Sequence, residues 1–475
     1  MSSILIKNAE YLVTMNKKRE ILRNVSCLIE NQQIKEIPTR KNQADKIIDA
    51  SGMIVLPGFI NTHLHTPQVF HRHCPAQQNK PIDEWIEITT SINREIDEEA
   101  MYYGALVCFA ELISSGVTTT ADYFYPFPKR REKNIFSTIK AALDIGIRLT
   151  SIRGSMSVGQ KDGSRYADDI VETSQEILHR SEDFIKKAHN SSPYSQIRAG
   201  VGPCLPFAST EDDFRQVAKL ARKYPRVILQ THIAESLWEV NYIKEKFGVT
   251  PIKLMKKTGF LGSDVGLTHC NVCSQEDVEL LAKTKTNVIL TPVCNTRNVA
   301  DDNLIAPLDQ MMKKKINISI GTDGPASNDS LNFLEEMRYL RVVSAGKLGM
   351  NYLMPSKVFD IGLLGGAITL NRNDIGGIEP QKAADLVIFN PEKKLEHAGA
   401  VNKWAALISC QAIKPEYVII NGRIILEKEE IKTINISKIL TKFLEAHSKI
   451  IERAQKKLKR NLYEYSSWEK AIWKR

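Results

Sequence analysis

The sequence lacks any apolar run of the length that spans a membrane, which is about 20 residues. Its first stretch, MSSILIKNAEYLVTM, also lacks the basic-then-apolar order of a secretory signal. We therefore expect a cytoplasmic protein without a membrane partner. The chain is 43% hydrophobic and 25% charged, which is typical of a globular protein. Its length of 475 residues allows one large core with a satellite domain.

Cysteine is a minor component of the sequence, and its positions do not predict disulfides. The 8 cysteines are scattered rather than paired at short spacings, so reduced, mostly buried thiols are expected. The pair Cys270-x-x-Cys273 has no second cysteine pair that would complete a structural zinc site. The cysteines thus favour a reducing compartment.

Negative charge is in deficit, and the net charge of +10 is concentrated at the end of the sequence. Residues 453–475 carry eight lysines and arginines against two glutamates. Such a segment can bind nucleic acid or a membrane surface, but a solvated helical face is the commoner arrangement. Nucleic acid is therefore not the expected partner, and the segment instead suggests a homo-oligomer.

No glycine-rich dinucleotide loop follows the first strand-like run, which disfavours an open doubly wound sheet. Strand-like runs instead alternate with helix-like segments such as EDDFRQVAKLARKY. This alternation predicts parallel βαβ units, and eight of them predict an α/β fold of the (β/α)8 TIM-like barrel type. The eight runs are MIVLPGFINTHL, GVTTTADY, GIRLTSIRG, IRAGVGP, VILQTHIAE, VGLTHC, NVILTPVCN and ISIGTDG.

Both ends of the chain read differently from the middle, with short strand-like runs separated by turn residues. Runs such as SSILIKNAEYLVTM and EYVIINGRIILEKEEI predict a small β-sandwich domain built from both termini. The predicted division is 1–54 and 379–434 for the sandwich, 55–378 for the metal-dependent barrel and 435–475 for a basic helical tail.

Polar side chains stand at the ends of four predicted strands. His63 and His65 follow the first strand, His232 the fifth, His269 the sixth and Asp323 the eighth. Residues i and i+2 of a strand share a face, and barrel active sites form at the carboxyl ends of the strands. Imidazoles and a carboxylate collected there, with room for a water, predict an open catalytic metal site.

These residues lie in motifs that resemble the amidohydrolase superfamily. LPGFINTHLH resembles the family's first-strand signature, THIAE its His-x-x-Glu motif and GTDGPASND its eighth-strand signature. RGSMSVG is similar to a third-strand motif of 8-oxoguanine deaminases and triazine hydrolases. The branch it resembles also holds S-adenosylhomocysteine and methylthioadenosine deaminases and is chlorohydrolase-like.

The resemblance implies a metal bound by His63, His65, His232 and Asp323, with zinc as the expected ion and iron(II) as the alternative. Zinc lowers the pKa of bound water to about 7, so hydroxide is available at neutral pH. Binuclear relatives carry a bridging lysine at the end of strand four, whereas this chain reads IRAGVGPCLP there. One metal per chain is therefore expected, and ring deamination is favoured over cyclic-amide hydrolysis.

The resemblance also implies catalytic roles. Glu235 passes a proton between water and a ring nitrogen, and His269 polarises or orients the water. Asp323 takes a proton and delivers it to the leaving group. A helix-start carboxylate stabilised by the helix dipole is the alternative interpretation of Glu235.

Four further residues are candidate substrate contacts. Gln68 is placed to hydrogen-bond a heterocycle, Trp85 to stack on it, Arg153 to meet a carbonyl or anion, and Asn295 matches a family asparagine. For Trp85, a buried helix aromatic is an alternative of similar weight.

The leading hypothesis is a metal-dependent aminohydrolase (deaminase) of the cyclic amidine type, a hydrolase of carbon–nitrogen bonds other than peptide bonds. Metal-held hydroxide adds to a ring carbon of an amino-substituted purine, nucleoside, pteridine or related heterocycle, and ammonia leaves. A triazine-type hydrolase that releases chloride or an alkylamine is the first alternative. A non-catalytic metal- or nucleic-acid-binding barrel is the minor one.

Overall fold

The computed structural model describes residues 3–78, 80, 82–128, 131–298, 305–350 and 352–464. Residues 465–475 of the predicted basic tail therefore lie outside the described residues. No helix of the described chain is long and apolar enough to cross a membrane.

The strands of the described residues are grouped in three sheets. In chain order they are β1 (Ser3–Ala9), β2 (Tyr11–Val13), β3 (Ile21–Leu22), β4 (Val25–Glu30), β5 (Gln33–Glu36), β6 (Lys46–Asp49), β7 (Ile54–Pro57), β8 (Phe59–Asn61), β9 (Val117–Phe124), β10 (Arg148–Ser155), β11 (Ile197–Pro203), β12 (Ile228–Ile233), β13 (Val265–His269), β14 (Asn287–Leu290), β15 (Ile318–Ile320), β16 (Leu386–Phe389), β17 (Tyr417–Ile420), β18 (Arg423–Glu427) and β19 (Glu430–Ile431).

The α-helices mostly follow the barrel strands. In chain order they are α1 (Ile82–Asn93), α2 (Glu98–Ser114), α3 (Asn134–Ile145), α4 (Ser174–Ala188), α5 (Glu211–Ala221), α6 (Leu237–Phe247), α7 (Pro251–Thr258), α8 (Gln275–Thr284), α9 (Pro292–Asn298), α10 (Leu308–Lys313), α11 (Pro325–Asn328), α12 (Phe333–Leu348), α13 (Pro355–Phe359), α14 (Gly366–Thr369), α15 (Lys403–Ala406) and α16 (Ile436–Leu458).

Strands β8 to β15 form one parallel sheet in sequential order, which confirms the predicted (β/α)8 barrel. Every residue of these strands is buried, as expected for parallel strands covered on both faces. The sheet closes where the Thr62 N–H donates to the Ile320 carbonyl at 3.0 Å, just beyond β8 and at the end of β15. This closure brings the end of the first strand beside the end of the eighth.

The two remaining sheets form the predicted β-sandwich, and the larger of them combines strands from both ends of the chain. One is four-stranded, in the order β5-β4-β1-β6, and the other is seven-stranded, in the order β19-β18-β17-β16-β7-β2-β3. The C-terminal strand β16 pairs antiparallel with the N-terminal strand β7. A separate apolar core fills the sandwich, and it includes Ile4, Ile6, Ile388 and Ile419.

The predicted C-terminal helical segment is present as α16, which packs on the barrel helices α1 and α2. Phe443 of α16 packs against Phe70, with ring centroids 5.2 Å apart and ring planes tilted by 46°. On the polar side, the buried carboxylate of Glu95 accepts from Arg453 Nε at 3.1 Å and also pairs with Lys457. Part of the basic character of this segment is therefore used in intramolecular ion pairs.

The barrel and the sandwich are joined by a buried ion pair at the start of β10. Arg148 donates from Nε and Nη2 to the two carboxylate oxygens of Asp385, each at 2.9 Å, and both side chains are almost fully buried. Its Nη1 donates to the Ser195 carbonyl at 2.8 Å. The bidentate geometry and the extra acceptors are what a buried ion pair requires to offset its desolvation.

Replacing Asp385 by asparagine leaves the buried Arg148 guanidinium without its counter-charge. We expect the free energy of unfolding to fall by about 3–5 kcal/mol, measured by chemical denaturation. The matched control is Asp183→Asn, which removes the carboxylate of the exposed Lys187–Asp183 pair. An exposed pair contributes about 0–1 kcal/mol, so equal losses in the two variants would contradict the structural role of Arg148.

Candidate active site

Three imidazole rings converge at the carboxyl end of the barrel. The Nε2 atoms of His63, His65 and His232 lie 3.1 Å from one another. His63 and His65 follow β8, and His232 lies in β12 on the opposite side of the barrel mouth. All three side chains are buried, so the sequence motifs on strands one and five meet as predicted.

On the far side of each ring, Nδ1 faces a protein acceptor. His63 Nδ1 lies 2.7 Å from Gln230 Oε1, and His65 Nδ1 lies 2.7 Å from the Tyr123 carbonyl. His232 Nδ1 lies 2.9 Å from the Cys204 carbonyl. These acceptors hold the proton on Nδ1, so the lone pair of each Nε2 faces the centre.

Burial also favours the neutral, unprotonated form of these rings. Burial and the neighbouring imidazoles lower the pKa of His63 below its usual value, and the same causes lower that of His232 further. Both rings are therefore neutral near pH 7, which is the state that binds a metal.

Asp323 completes the group from the end of the eighth strand. Its Oδ1 lies 3.1 Å from His65 Nε2 and 3.5 Å from His63 Nε2. Its Oδ2 accepts a hydrogen bond from Ser327 Oγ at 2.7 Å. Among the described residues, Oδ1 is buried without a hydrogen-bond donor, which is costly unless a cation satisfies it.

The donor set fits a divalent metal ion. Three Nε2 lone pairs and one carboxylate oxygen point to a common centre, and without a shared cation they would repel one another. Three nitrogen ligands and one oxygen ligand suit zinc and also iron(II). The site residues Asp323 and His269 have φ of +58° and +77°, so the backbone is strained where it presents them.

Glu235 and His269 lie beside this centre. Glu235 Oε2 is 3.8 Å from His269 Nε2, while His269 Nδ1 lies 3.1 Å from Asn295 Oδ1 and 3.0 Å from Thr291 Oγ1. Burial, with the charge of Asp323 as a lesser cause, raises the pKa of Glu235 to about 7. Burial lowers the pKa of His269 to about 4. A carboxyl group with a pKa near neutrality is suited to take up and release a proton.

Of the predicted substrate contacts, Gln68 lies at the edge of this centre. It belongs to a short 3-10 helix, Thr66–His71, and its Oε1 accepts from Ser327 Oγ at 3.3 Å. Asn295 is fully buried behind His269, and its Nδ2 donates to Asn271 Oδ1 at 2.8 Å. Its amide is therefore engaged by protein groups, and a contact between Asn295 and substrate stays a prediction.

The side chains of Trp85 and Arg153 contact residues other than the three convergent histidines. Trp85 is half-buried on α1, with its ring 5.9 Å from that of His71. Arg153 pairs in register with Phe124, so its side chain lies on the helix side of β10. There Nη2 donates to Glu172 Oε1 at 2.5 Å. Substrate contact by either residue stays a prediction.

Several supporting residues were not found from the sequence. Gln230 orients His63 and is itself fixed by donating from Nε2 to the Thr62 carbonyl at 3.0 Å. Glu239 accepts from the backbone N–H groups of Ala234 and Glu235, each at 3.0 Å. The spacing Ser236-x-x-Glu239 is a helix N-cap signature, and it could have drawn attention to Glu239.

The loop that carries Asp323 is held by a buried carboxyl group, that of Glu336 on α12. Glu336 Oε1 accepts from the Val293 N–H at 3.0 Å, and Oε2 accepts from Asn328 Nδ2 at 2.8 Å. Asn328 Nδ2 also lies 2.7 Å from the Thr322 carbonyl, next to Asp323. Burial raises the pKa of Glu336 to about 8.

This raised pKa predicts a pH dependence of stability. In the unfolded chain a glutamate has a pKa of about 4.3, so between that value and about 8 the folded state binds more protons. The free energy of unfolding should therefore fall as pH rises through this window, and Glu336→Gln should flatten that slope. Denaturation at several pH values tests this, with the adjacent exposed variant Glu335→Gln as control. Equal slopes in the wild type and Glu336→Gln would contradict it.

The sequence is similar over most of its length to a known enzyme family and to two deaminases. A sequence profile of the amidohydrolase family matches residues 54–425. The chain is 29% identical to 8-oxoguanine deaminase from Pseudomonas aeruginosa over 403 residues, 85% of this chain and 89% of that protein. It is also 29% identical to 5-methylthioadenosine/S-adenosylhomocysteine deaminase from Thermoanaerobacter pseudethanolicus over 463 residues, 95% of this chain and all of that protein (100%).

Solved structures share the whole architecture. Atrazine chlorohydrolase from Arthrobacter aurescens TC1, complexed with zinc, superposes with a TM-score of 0.88 at 25% identity, over 94% of this chain and 100% of that chain. An adenosine deaminase from Xanthomonas campestris with bound zinc superposes with a TM-score of 0.84 at 20% identity, over 94% of this chain and 98% of that one. This last likeness is one of fold.

Proposed function

The chain belongs to the amidohydrolase family, and we propose that it is a metal-dependent aminohydrolase that releases ammonia from an amino-substituted heterocycle. It is a hydrolase of carbon–nitrogen bonds other than peptide bonds. The observation that carries the proposal is the convergence of three Nε2 lone pairs beside a carboxyl group whose pKa is near 7.

We assign the metal ligands as Nε2 of His63, His65 and His232 with Oδ1 of Asp323. Zinc is the proposed ion, supported by the zinc in two structural neighbours, and iron(II) is the alternative. When bound, a divalent ion of this kind lowers the pKa of water to about 7 and so makes it reactive at neutral pH.

The protein residues then move the protons. Glu235 takes a proton from the attacking water at Oε2 and passes it to a ring nitrogen of the substrate. The neutral His269 orients the water through Nε2, which faces Glu235. The second proton of the water passes to Asp323, which delivers it to the amino group. The carbon–nitrogen bond then breaks, and ammonia leaves while the ring carbon keeps the water oxygen.

The substrate that we propose is an aminopurine or a purine nucleoside. Pteridines and related heterocycles are the next candidates. The names of the deaminases to which the chain is similar support this choice. Gln68 is the proposed contact with the ring, because it lies against the Ser327 hydroxyl that holds Asp323. Trp85, Arg153 and Asn295 are the remaining candidates.

A cytoplasmic location and a homo-oligomeric assembly belong to the same proposal. The eight cysteines are not joined in disulfides in the structure, in keeping with a reducing compartment.

Ammonia release across aminopurines, adenosine derivatives, pterins and aminotriazines tests the function. We expect ammonia from one purine-type class with zinc-loaded protein, and no ammonia after removal of the metal by a chelator. Chloride and alkylamine are assayed in parallel with chlorinated and alkylated triazines. Release of these groups without ammonia would replace the proposal by the triazine-hydrolase alternative.

A further inference from the structure

Two buried amides connect the peptide of Glu235 to the ring of His269, and a third buried residue, Glu239, holds the N–H side of that peptide. We propose that Glu239 and the amide pair Asn271–Asn295 are positioning residues that hold the proton-transferring carboxyl group against its histidine neighbour. The inference rests on the proposed function of Glu235. All three residues are buried, at 0–3% exposure, so they do not offer a surface to substrate.

The first part of this network holds the N–H side of the Glu235 peptide. Ala234 has a φ of +51°, so the chain turns sharply where it leaves β12. A left-handed residue in such a turn can direct successive N–H groups to the same side, where one acceptor group can meet both. The carboxyl group of Glu239 is that acceptor, with Oε1 3.0 Å from the Ala234 nitrogen and Oε2 3.0 Å from the Glu235 nitrogen.

The second part holds the carbonyl side. Asn271 Nδ2 donates to the Glu235 carbonyl at 3.0 Å, and Asn271 Oδ1 accepts from Asn295 Nδ2 at 2.8 Å. Asn295 Oδ1 then accepts from His269 Nδ1 at 3.1 Å. Each amide uses both its donor and its acceptor, so reversing either one would break two hydrogen bonds. The orientation of the pair is thereby fixed.

The network has a consequence for the side chain of Glu235. Its Oε2 lies 3.8 Å from His269 Nε2, beyond hydrogen-bond distance, and 29% of the side-chain surface remains exposed. That contact alone does not lock the carboxyl group. The hydrogen bonds to its N–H and carbonyl fix the backbone from which the side chain projects, and the same Asn271–Asn295 pair orients the His269 ring.

The test is the variant Glu239→Gln, which preserves side-chain volume but turns one acceptor into a donor that faces an N–H group. A shift of the carboxyl group of about 1 Å can cost about 100-fold in rate. We expect kcat to fall about 10- to 100-fold, KM to change less than about twofold, and the bound metal to be retained. The matched control is Glu245→Gln, the same change at an exposed position on α6, which should leave kcat unchanged.

A double variant separates positioning from general support of the fold. Because Glu239 acts through Glu235, Glu239→Gln should cause no further loss of kcat in a Glu235→Gln background. Losses that multiply in the double variant would overturn the proposal. Asn271→Asp, which keeps the acceptor for Asn295 but removes the donor to the Glu235 carbonyl, serves as the second variant if Glu239→Gln does not fold.

Crystal structures of the variants give a readout that is independent of activity. In Glu239→Gln or Asn271→Asp, the Glu235 carboxyl group should be displaced from its wild-type position relative to His269. An undisplaced carboxyl group would overturn the inference even if the wild-type protein is a deaminase. A displaced one would support it even if no member of the substrate panel releases ammonia.

Discussion

Replacing Glu235 by glutamine should lower kcat for ammonia release by about 10²–10⁴-fold, the usual contribution of a positioned acid–base group. Glutamine has nearly the same shape but cannot take a proton from water or pass one to a ring nitrogen. The carboxyl group is suited to both steps, since burial raises its pKa to about 7. Steady-state kinetics with the best substrate of the panel measures the loss.

The metal content separates loss of proton transfer from loss of the site. Glu235 is not among the proposed ligands, so Glu235→Gln should bind one metal ion per chain, as the wild type does. The matched control is again Glu245→Gln, whose carboxylate is exposed on α6. If Glu235→Gln kept kcat within about threefold of the wild type, the helix-start interpretation of this residue would be favoured instead.

Removing one imidazole from the convergent cluster should abolish tight metal binding and activity together. In His232→Ala, the centre loses an Nε2 atom that lies 3.1 Å from its two partners. Because metal binding stabilises only the folded state, we also expect a lower Tm than that of the metal-loaded wild type. Metal analysis after dialysis and competition with a chromophoric chelator measure the loss of affinity.

The chain offers its own control in a second His-x-His sequence, His71-Arg72-His73. His73 is exposed and pairs with Asp329, away from the convergent Nε2 atoms. His73→Ala should therefore retain one metal ion per chain and the wild-type kcat. Retention of stoichiometric metal by His232→Ala would contradict the assigned ligand set.

The barrel could be predicted from the sequence because parallel strands that are buried on both faces read as continuous apolar runs. One of these runs, MIVLPGFINTHL, is divided by the structure between two sheets. β7 belongs to the sandwich and β8 to the barrel. The change occurs at Gly58, where a Cβ atom would lie 2.1 Å from the Thr118 side chain. An apolar pattern cannot reveal such a division, because both halves are equally buried.

The convergence of His63, His65 and His232 was predictable because each lies at a strand end, and the barrel fixes where strand ends meet. The groups that orient these three rings could not be predicted from the sequence. The acceptors for His65 and His232 are backbone carbonyls, those of Tyr123 and Cys204, which carry no sequence signal. Their identity depends on the register of neighbouring strands, which only the structure gives.

The contact made by Glu239 also could not be predicted from the sequence. A helix N-cap sequence predicts that a glutamate folds back on its own helix start. Here it reaches past that point to the N–H groups of Ala234 and Glu235, since the left-handed turn at Ala234 presents them together. Backbone conformation, rather than residue spacing, decides this contact.

The most direct measurement is product analysis after the zinc-loaded protein has acted on an aminopurine in water labelled with a heavy oxygen isotope. If the protein is an aminohydrolase, one ammonia is released for each substrate consumed. The product then carries one labelled oxygen at the carbon that lost the amino group. Ammonia without incorporated label, or loss of chloride or an alkylamine with the amino group retained, would contradict hydrolytic deamination.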